Sequence, residues 1–425
     1  MRRALIGLAV IMAACTGRER EGSGTLELIV SASAVGDEGR LLARQLAEFE
    51  LANPGIETIL RQTPDDATQR HQLYVQWLNA HVGEPDVLQL DVVWTAEFAA
   101  AGWILPLDRF SPDTSAFIPA IVAADRWRGA LYAIPWFVDV GLLYRRTDLV
   151  PSAPRSMTEM ESAARSTTGG AGRPRYGMVW QGARYEGLIT VFVEFLTAYG
   201  GRIMDDDGRV VVDAPPAVRA LEAMRRQIDT GLAPREVLGW HEEETRYAFQ
   251  NGAAVFMRNW PYAYPLLSDT AASQAAGRIG VSPIPRADGG RPAAALGGAQ
   301  LAVNAYSEHP DAAWRLIEYL TAPEQMIDRA AVLGQFPPRT ALYDDARLQG
   351  ALPIPVDQVR EAVRAAVARP ATPVWTQLSE ILQVHVHRTL SGQSEPDAAL
   401  AAAAAEMNGV LDRTGISSVG TESGR

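Results

Sequence analysis

Between residues 26 and 94 the chain alternates between short apolar segments and longer amphipathic ones, and this alternation restricts the fold more than any other feature. Residues 26–30 and 56–60 are typical of strands, and helix-type periodicity separates them from each other and from a third apolar run, residues 85–94. The third run is almost continuously apolar, as in a parallel strand that is buried on both faces. Strand, helix, strand, helix, strand in this order predicts an α/β sheet.

The predicted sheet also indicates where a ligand would bind. Ligands of α/β sheets bind beyond the carboxyl ends of the strands, and Asp91 stands near the end of the third run. Asp91 is therefore a candidate binding residue, with capping of the following helix as the alternative. A long extended segment at residues 131–144 contains a second candidate, Asp139. A carboxylate among apolar neighbours is costly without partners, which favours a functional role.

Two aromatic residues separated by a proline, Trp260 and Tyr262, follow a short apolar strand at residues 253–257. A helix-like run that begins with three acids at Glu242 precedes this strand, and an Asn-Gly turn at residues 251–252 joins the two. This arrangement delivers two rings to the mouth of a sheet, and the proline stiffens the backbone between them. An aromatic face packs against the C–H face of a pyranose, so the segment indicates sugar binding. The alternative is that both rings belong to the core.

The N-terminus carries an export signal. Residues 1–3 are positively charged, residues 4–12 are apolar but too short to span a bilayer, and small residues precede Cys15. This pattern resembles a lipoprotein-type signal peptide, residues 1–14, followed by a flexible tether, residues 15–24. We expect the protein outside the cytoplasmic membrane, in the periplasm or at the cell surface, lipid-anchored through Cys15. The alternative is an ordinary secretory signal with an incidental cysteine.

Charge and motif content exclude several classes of function. The net charge of -11 argues against a nucleic-acid or anionic-membrane surface. The six histidines do not have the spacing of zinc ligands, and neither a phosphate-binding loop with a lysine nor a Gly-x-Ser-x-Gly motif occurs. We therefore expect no metal, no cofactor and no catalytic residue. Cys15 is the only cysteine, so no intramolecular disulfide is expected.

Seven segments of the chain share residue patterns with one known family. They are residues 86–94, 102–108, 132–144, 180–188, 258–263, 296–298 and 369–370. Together they resemble the extracellular solute-binding proteins (family 1) of ABC sugar importers, of the trehalose- and maltose-binding type. The resemblance implies an α/β, two-lobed, periplasmic-binding-protein-like fold with a hinge and an inter-lobe ligand cleft. It also implies a monomer that delivers its ligand to a membrane permease pair with a cytoplasmic ATPase.

The resemblance implies a domain organisation as well. Lobe 1 is expected to comprise residues 25–137 and 299–344, and lobe 2 is expected to comprise residues 138–298 and 345–413. The chain is expected to end in a disordered tail, residues 414–425.

Ten residues of this chain fall where the family contacts its sugar. The implied ligand-binding set is Glu38, Arg61, Asp91, Asp139, Glu242, Trp260, Tyr262, Gly297, Gly298 and Arg369. A neutral sugar presents many hydroxyl groups, and carboxylates and arginines form strong hydrogen bonds to them. Structural explanations compete: a helix-start carboxylate for Glu38, a surface arginine or a partner of Asp91 for Arg61, a solvated acidic face for Glu242, a plain turn for Gly297-Gly298, and an inter-lobe salt bridge for Arg369.

The expected function is capture of an α-linked disaccharide, trehalose or a maltose-like sugar, by hinge closure. A glycosidase-like enzyme with paired carboxylates is the main alternative, and a binder of another small polar solute is a further one. Ala299 departs from the trehalose-binding branch, which can carry an aromatic residue at this position. A missing ring would remove a stacking surface, and it leaves the identity of the sugar open.

Overall fold

The structure, a computed structural model, describes residues 25–34 and 36–415. The predicted signal peptide, the tether and Cys15 lie outside the described residues. The predicted tail begins one residue too early, because the last helix continues through Thr414, and the remainder of the tail from residue 416 also lies outside the described residues.

Twelve strands occur in the described part of the chain. They are β1 Leu26–Ala32, β2 Ile56–Gln62, β3 Val87–Asp91, β4 Arg126–Trp127, β5 Ala130–Leu131, β6 Ile134–Val140, β7 Leu142–Arg146, β8 Tyr176–Val179, β9 Ala254–Asn259, β10 Ile279–Ser282, β11 Ala294–Val303 and β12 Ala366–Val367.

Fifteen α-helices accompany them within the same described ranges. They are α1 Asp37–Ala52, α2 Ala67–Asn79, α3 Thr95–Ala100, α4 Pro119–Ala124, α5 Met157–Thr167, α6 Glu186–Ala198, α7 Pro215–Asp229, α8 Glu242–Gln250, α9 Ala263–Ser268, α10 Pro310–Leu320, α11 Pro323–Leu333, α12 Ala346–Ala351, α13 Val356–Arg364, α14 Trp375–Leu390 and α15 Pro396–Thr414. None of these helices is long and apolar enough to cross a membrane.

The strands form two main sheets. In the first sheet β1 pairs in parallel with β2 and β3, and β11 pairs in antiparallel with both β3 and β6. The second sheet has the order β10-β7-β9-β8, in which only the β8–β9 pair is parallel. The predicted α/β sheet with its parallel strands β1, β2 and β3 is therefore confirmed.

The chain passes between the two sheets at two neighbouring places. Gly141 is the single residue between β6, in the first sheet, and β7, in the second, and its N–H donates to the carbonyl of Ala295 at 2.9 Å, near the start of β11. The expected lobe boundaries at 137/138 and 298/299 are wrong in detail, because β6 and β11 lie whole within the first sheet. The two strands pair with each other from Leu296–Val140 to Leu301–Ile134, with one register shift between residues 299 and 300, and a boundary inside either strand would divide that pairing.

Helices cover both sheets through their apolar faces. Beneath the first sheet, Leu42 of α1 and Ile317 of α10 pack with Leu28 and Leu301 of the strands. Two acids in the first turn of α1, Asp37 and Glu38, complement the helix dipole. A second core contains α6, which is buried on all sides, together with α7, α14 and α15. These cores hold the strands in place, and two of the candidate residues, Asp91 and Trp260, lie at or directly after strand ends.

Candidate functional site

A cleft of about 1000 Å³ lies between the two sheets. This volume is at the upper end of the roughly 300–1000 Å³ that is typical of small-molecule sites. Nine of the ten sequence-derived candidates line it, namely Glu38, Asp91, Asp139, Glu242, Trp260, Tyr262, Gly297, Gly298 and Arg369. The structure thus brings together residues that are up to 331 positions apart in the sequence.

Arg61 does not reach the cleft. Its guanidinium donates to the side chain of Glu84 at 3.0 Å and lies 5.7 Å from the ring centroid of Trp77. The structural alternatives for Arg61 were a surface arginine and a partner of Asp91. The structure shows a partly exposed surface arginine.

Arg369 connects the two sides of the cleft at its floor. It donates to Glu186 Oε1 at 2.6 Å and to Asp91 Oδ1 at 3.2 Å. Asp91 ends β3 of the first sheet, whereas Glu186 begins α6, which packs against the second half of the chain. Burial alone would lower the pKa of Arg369, but Asp91 and Glu186 more than offset this and raise it. The guanidinium therefore stays charged while it bridges the two halves.

Asp139 and the glycine pair form the adjoining wall. Asp139 on β6 is directly opposite Gly297 on β11, and Gly298 is opposite Val138. Gly298 has a φ of 118°, and a Cβ there would lie 2.3 Å from the carbonyl oxygen of Phe137, so only glycine fits. A β-bulge follows between residues 299 and 300. This bulge bends the strand beside the cleft.

Burial raises the pKa of Asp139 to about 7, and the charge of Glu38 adds to this effect. Arg329 and Arg258 oppose it by favouring the carboxylate. Its Oδ1 is buried and has no hydrogen-bond partner among the described residues. An aspartate of this kind can donate as well as accept near neutral pH, which suits a hydroxyl-bearing ligand.

The Trp260 ring is held on three sides. The Arg258 guanidinium lies 3.9 Å from the ring centroid, and Trp260 Nε1 donates to Glu242 Oε1 at 3.2 Å. Gly297 packs against the edge of the ring, so closely that a Cβ added to it would lie 3.0 Å from Trp260 Cζ3. Since Arg258 is fully buried and does not line the cleft, it lies behind the ring and leaves the opposite face for a ligand.

Tyrosines and acids complete this wall. Tyr262 donates to Glu243 Oε1 at 2.8 Å, and Tyr185 donates to the second carboxylate oxygen of Glu242 at 2.7 Å. Burial, and then the nearby glutamates, raise the pKa of both Tyr185 and Tyr262 well above the usual value. Both hydroxyl groups therefore remain protonated and keep the two carboxylates in place.

On the opposite side, two arginines serve different purposes. Arg329 is almost fully buried and donates to Glu38 Oε1 at 2.7 Å, which fixes that carboxylate at the start of α1. Arg70 lines the cleft and lies 5.4 Å from the ring centroid of Trp94. Its Nη1 donates to the carbonyls of residues 64 and 65, while its Nε has no partner in the part of the chain that the structure describes. Arg70 therefore lines the cleft, which Arg61 does not.

Sequence reasoning missed several lining residues, above all Arg70, Glu186, Tyr185 and Asp65. Glu186 and Tyr185 belong to a segment, residues 180–188, that carried the family resemblance, so a signal was present. Asp65, in the loop before α2, and Arg70, within α2, had none, because neither stretch of sequence has a distinctive pattern. Burial raises the pKa of Asp65 to about 6. Ala299 lines the cleft as a small residue between Asp91 and Phe137, and it provides no ring.

The charge balance of the cleft limits its ligands. Among the described residues that line it, eleven are acidic and four are arginines. An anionic solute would therefore be repelled, while a neutral polyhydroxylated one can use carboxylates as acceptors and arginines as donors. No group of three His, Cys, Asp or Glu side chains in the described ranges can hold a metal ion.

Comparison with known proteins gives consistent matches. Residues 34–327 match the family described as bacterial extracellular solute-binding protein. The chain is 36% identical to a probable ABC transporter-binding protein of Deinococcus radiodurans over 411 residues, which cover 93% of this chain and 95% of that protein. The structure is similar to maltose-bound MalE3 of T. maritima, with a TM-score of 0.86 and 39% identity over 91% of this chain and 100% of the other. It is also similar to the GacH receptor of Streptomyces glaucescens, solved unliganded and with acarbose, with a TM-score of 0.81, 25% identity and coverage of 91% and 99%.

Proposed function

The chain belongs to the family of bacterial extracellular solute-binding proteins, and from this premise we propose that it captures an α-linked disaccharide, trehalose or a maltose-like sugar. As a member it is a two-lobed, solute-binding component of an ABC importer, and its relatives are binding proteins rather than enzymes. The prediction that it is not an enzyme is confirmed by these relatives. The sugar, the mode of capture and the lipid anchor belong to the proposal.

The observation that carries the proposal is the position of Trp260. One face of its ring is covered by Arg258 and the other borders the cleft, where Glu242 binds the indole nitrogen and other carboxylates, among them Asp139, line the same cleft. An apolar platform edged by hydrogen-bonding groups fits a pyranose, which has C–H faces and a rim of hydroxyl groups. The solved relative that contains maltose supports the same class of ligand.

The absence of a ring at Ala299 bears on which disaccharide is bound. Phe137 lines the cleft directly opposite Ala299, and its ring is the aromatic surface nearest in register to the expected one. We propose that Phe137 supplies the second apolar contact. A bent α-linked disaccharide that contacts Trp260 with one ring and Phe137 with the other fits this arrangement.

Capture is proposed to occur by hinge closure of the two lobes. Few backbone segments join them, and Asp66 and His241 approach within 3.7 Å of each other from opposite sides of the cleft. A ligand that contacts both sides favours the closed arrangement by its differential affinity for it. The closed monomer then delivers the sugar to a membrane permease pair with a cytoplasmic ATPase.

We further propose that Cys15 is lipidated and anchors the mature protein outside the cytoplasmic membrane. The test is the partitioning of the expressed full chain between aqueous and detergent phases. Cys15→Ser should move the protein from the detergent phase to the aqueous phase, and equal partitioning of both forms would contradict the anchor.

A thermal-shift screen tests the ligand class. Purified mature protein should gain thermal stability with trehalose or maltose, less with monosaccharides and polyols, and should return the disaccharide unchanged. Free glucose that accumulates in the mixture would support the glycosidase alternative. A stability gain with polyols alone would point to another polar solute.

Trp260→Ala tests the platform itself. Loss of the ring should weaken disaccharide binding about tenfold or more, since an aromatic contact contributes roughly 1 kcal/mol beyond its buried area. Trp127→Ala is a matched control, because Trp127 is also partly buried and stacked with an arginine, Arg128, but lies outside the cleft. Calorimetric affinities that fall equally in both variants would remove Trp260 from the site.

A further inference from the structure

We infer that the buried Arg258–Glu194 ion pair is a positioning element that sets the Trp260 ring for the ligand and ties it to the two strands that connect the lobes. The inference rests on the proposed function, since it concerns how that site is held. Neither Arg258 nor Glu194 touches the cleft, so the role is indirect.

The ion pair is completely buried and bidentate. Arg258 Nη2 donates to Glu194 Oε1 at 2.8 Å and Nε donates to Oε2 at 3.0 Å, while both side chains are 0% exposed. A third contact, from Arg258 Nη1 to Gln181 Oε1 at 3.3 Å, fixes the plane of the guanidinium. A buried pair of this kind contributes little net stability, because desolvation offsets the attraction. Its retention inside a core therefore calls for another explanation.

One side of the pair supports the ligand platform. The guanidinium lies 3.9 Å from the centroid of the Trp260 ring, which is close for a cation stacked on an aromatic face. Because the guanidinium is planar and held by three acceptor contacts, the ring that lies against it has a defined tilt. A lysine could keep the charge but would not provide a flat surface.

The other side of the pair contacts both strand connections between the lobes. Glu194 Oε1 accepts the N–H of Ala295 at 2.9 Å, near the start of β11. A Cβ added to Gly141, the residue between β6 and β7, would lie 1.7 Å from Glu194 Oε1 and 2.5 Å from Arg258 Nη2. The pair thus packs against Gly141 and binds Ala295, and these two residues bond to each other. A movement of the connecting strands therefore acts on the pair, and through it on Trp260.

The test replaces both charges together, so that no unpaired charge is left in the core. In the double variant Glu194→Gln with Arg258→Met, the glutamine can still accept the Ala295 N–H, while the support behind the ring is lost. We expect disaccharide affinity to fall at least tenfold. Combined with Trp260→Ala, the double variant should add less than a further twofold loss, because both changes act on the same ring.

The matched control is a second bidentate arginine–carboxylate pair, at one end of a strand in the same sheet as Arg258. Arg146 and Asp148 interact at the far end of β7 and do not line the cleft. Asp148→Asn with Arg146→Met should leave affinity within twofold of the unaltered protein. An affinity of the Glu194/Arg258 double variant that is also within twofold would overturn the inference, as would losses that multiply fully with that of Trp260→Ala.

A readout without ligand separates this inference from the proposed function. In protein labelled with fluorotryptophan, the fluorine NMR signal of Trp260 is identified by its loss in Trp260→Ala. This signal should shift in the Glu194/Arg258 double variant and stay in place in the control. Should the double variant fail to fold, the single variant Arg258→Lys tests the same role, because it keeps the charge but removes the flat guanidinium. Its Trp260 signal should also shift. Absence of sugar binding by the unaltered protein would refute the proposed function, whereas an unmoved signal would refute the positioning role.

Discussion

Asp139 should make the ligand-free protein less stable as the pH rises, and Asp139→Asn should abolish this effect. Burial raises the pKa of Asp139 from 3.8 to about 7 in the folded protein. Between these two values the folded protein holds a proton that the unfolded chain has released. The free energy of unfolding then falls with increasing pH over this interval and is constant above about pH 7.

The size of the effect follows from the width of the interval. At about 1.4 kcal/mol per pH unit, a difference of roughly three pH units gives an upper bound of about 4 kcal/mol. One oxygen of Asp139 is buried without a partner, but the residue is partly exposed to the cleft, where solvent screens the charge. We therefore expect about 2 kcal/mol. Asparagine has the same shape and cannot ionise, so the variant should be more stable by this amount at pH 8 and equally stable near pH 4.

Urea unfolding followed by circular dichroism, without sugar and at intervals from pH 4 to pH 8, measures this difference. Asp206→Asn is the matched control, because its side chain is 97% exposed, and its curve should follow that of the unaltered protein. Parallel pH profiles for Asp139→Asn and the unaltered protein would refute the reasoning. A variant that loses stability relative to the unaltered protein as the pH rises would show that Arg329 and Arg258 outweigh burial at this position.

Two further predictions concern the walls of the cleft. Gly297→Ala should weaken disaccharide binding about tenfold in a calorimetric titration, because the added Cβ would lie 3.0 Å from Trp260 Cζ3 and displace the ring. Gly350→Ala is the control and should have no effect, because a Cβ there meets nothing within 4 Å. Arg70→Ala should cost roughly 1.5–3 kcal/mol of binding free energy, the range for a hydrogen bond to a charged group. Arg61→Ala should leave the affinity within twofold, and equal losses in the two arginine variants would contradict the placement of Arg70 at the ligand.

The local sequence pattern was sufficient to predict where a residue lies when its position depends only on its own strand or helix. Asp91 ends a strand whose continuous apolar character is evident in the sequence, and Trp260 follows a strand introduced by an Asn-Gly turn. In both cases the strand end determines where the side chain lies. The candidates derived in this way, together with the family resemblance, lie in one cleft with the exception of Arg61.

The failure at Arg61 has a physical cause. Arg61 is at the C-terminal end of β2 and Arg70 is in the following helix α2, and nothing in their neighbouring residues shows which of them faces the cleft. What separates them is tertiary contact: Arg70 lies against Trp94, whereas Arg61 lies over Trp77 and donates to Glu84. Such contacts depend on how helices pack across distant parts of the chain.

The sequence alone determined the α/β class and the succession of strands and helices, because apolar periodicity and turn residues act over short distances. It also gave the export signal and a sugar-binding role for residues near strand ends as predictions. Tertiary structure decided which charges meet. Glu194 and Arg258 are 64 residues apart, and Asp91 and Arg369 are 278 apart. Their pairing, and the position of the lobe connection at Gly141 and Ala295, follow from strand register and core packing between segments that have no local pattern in common.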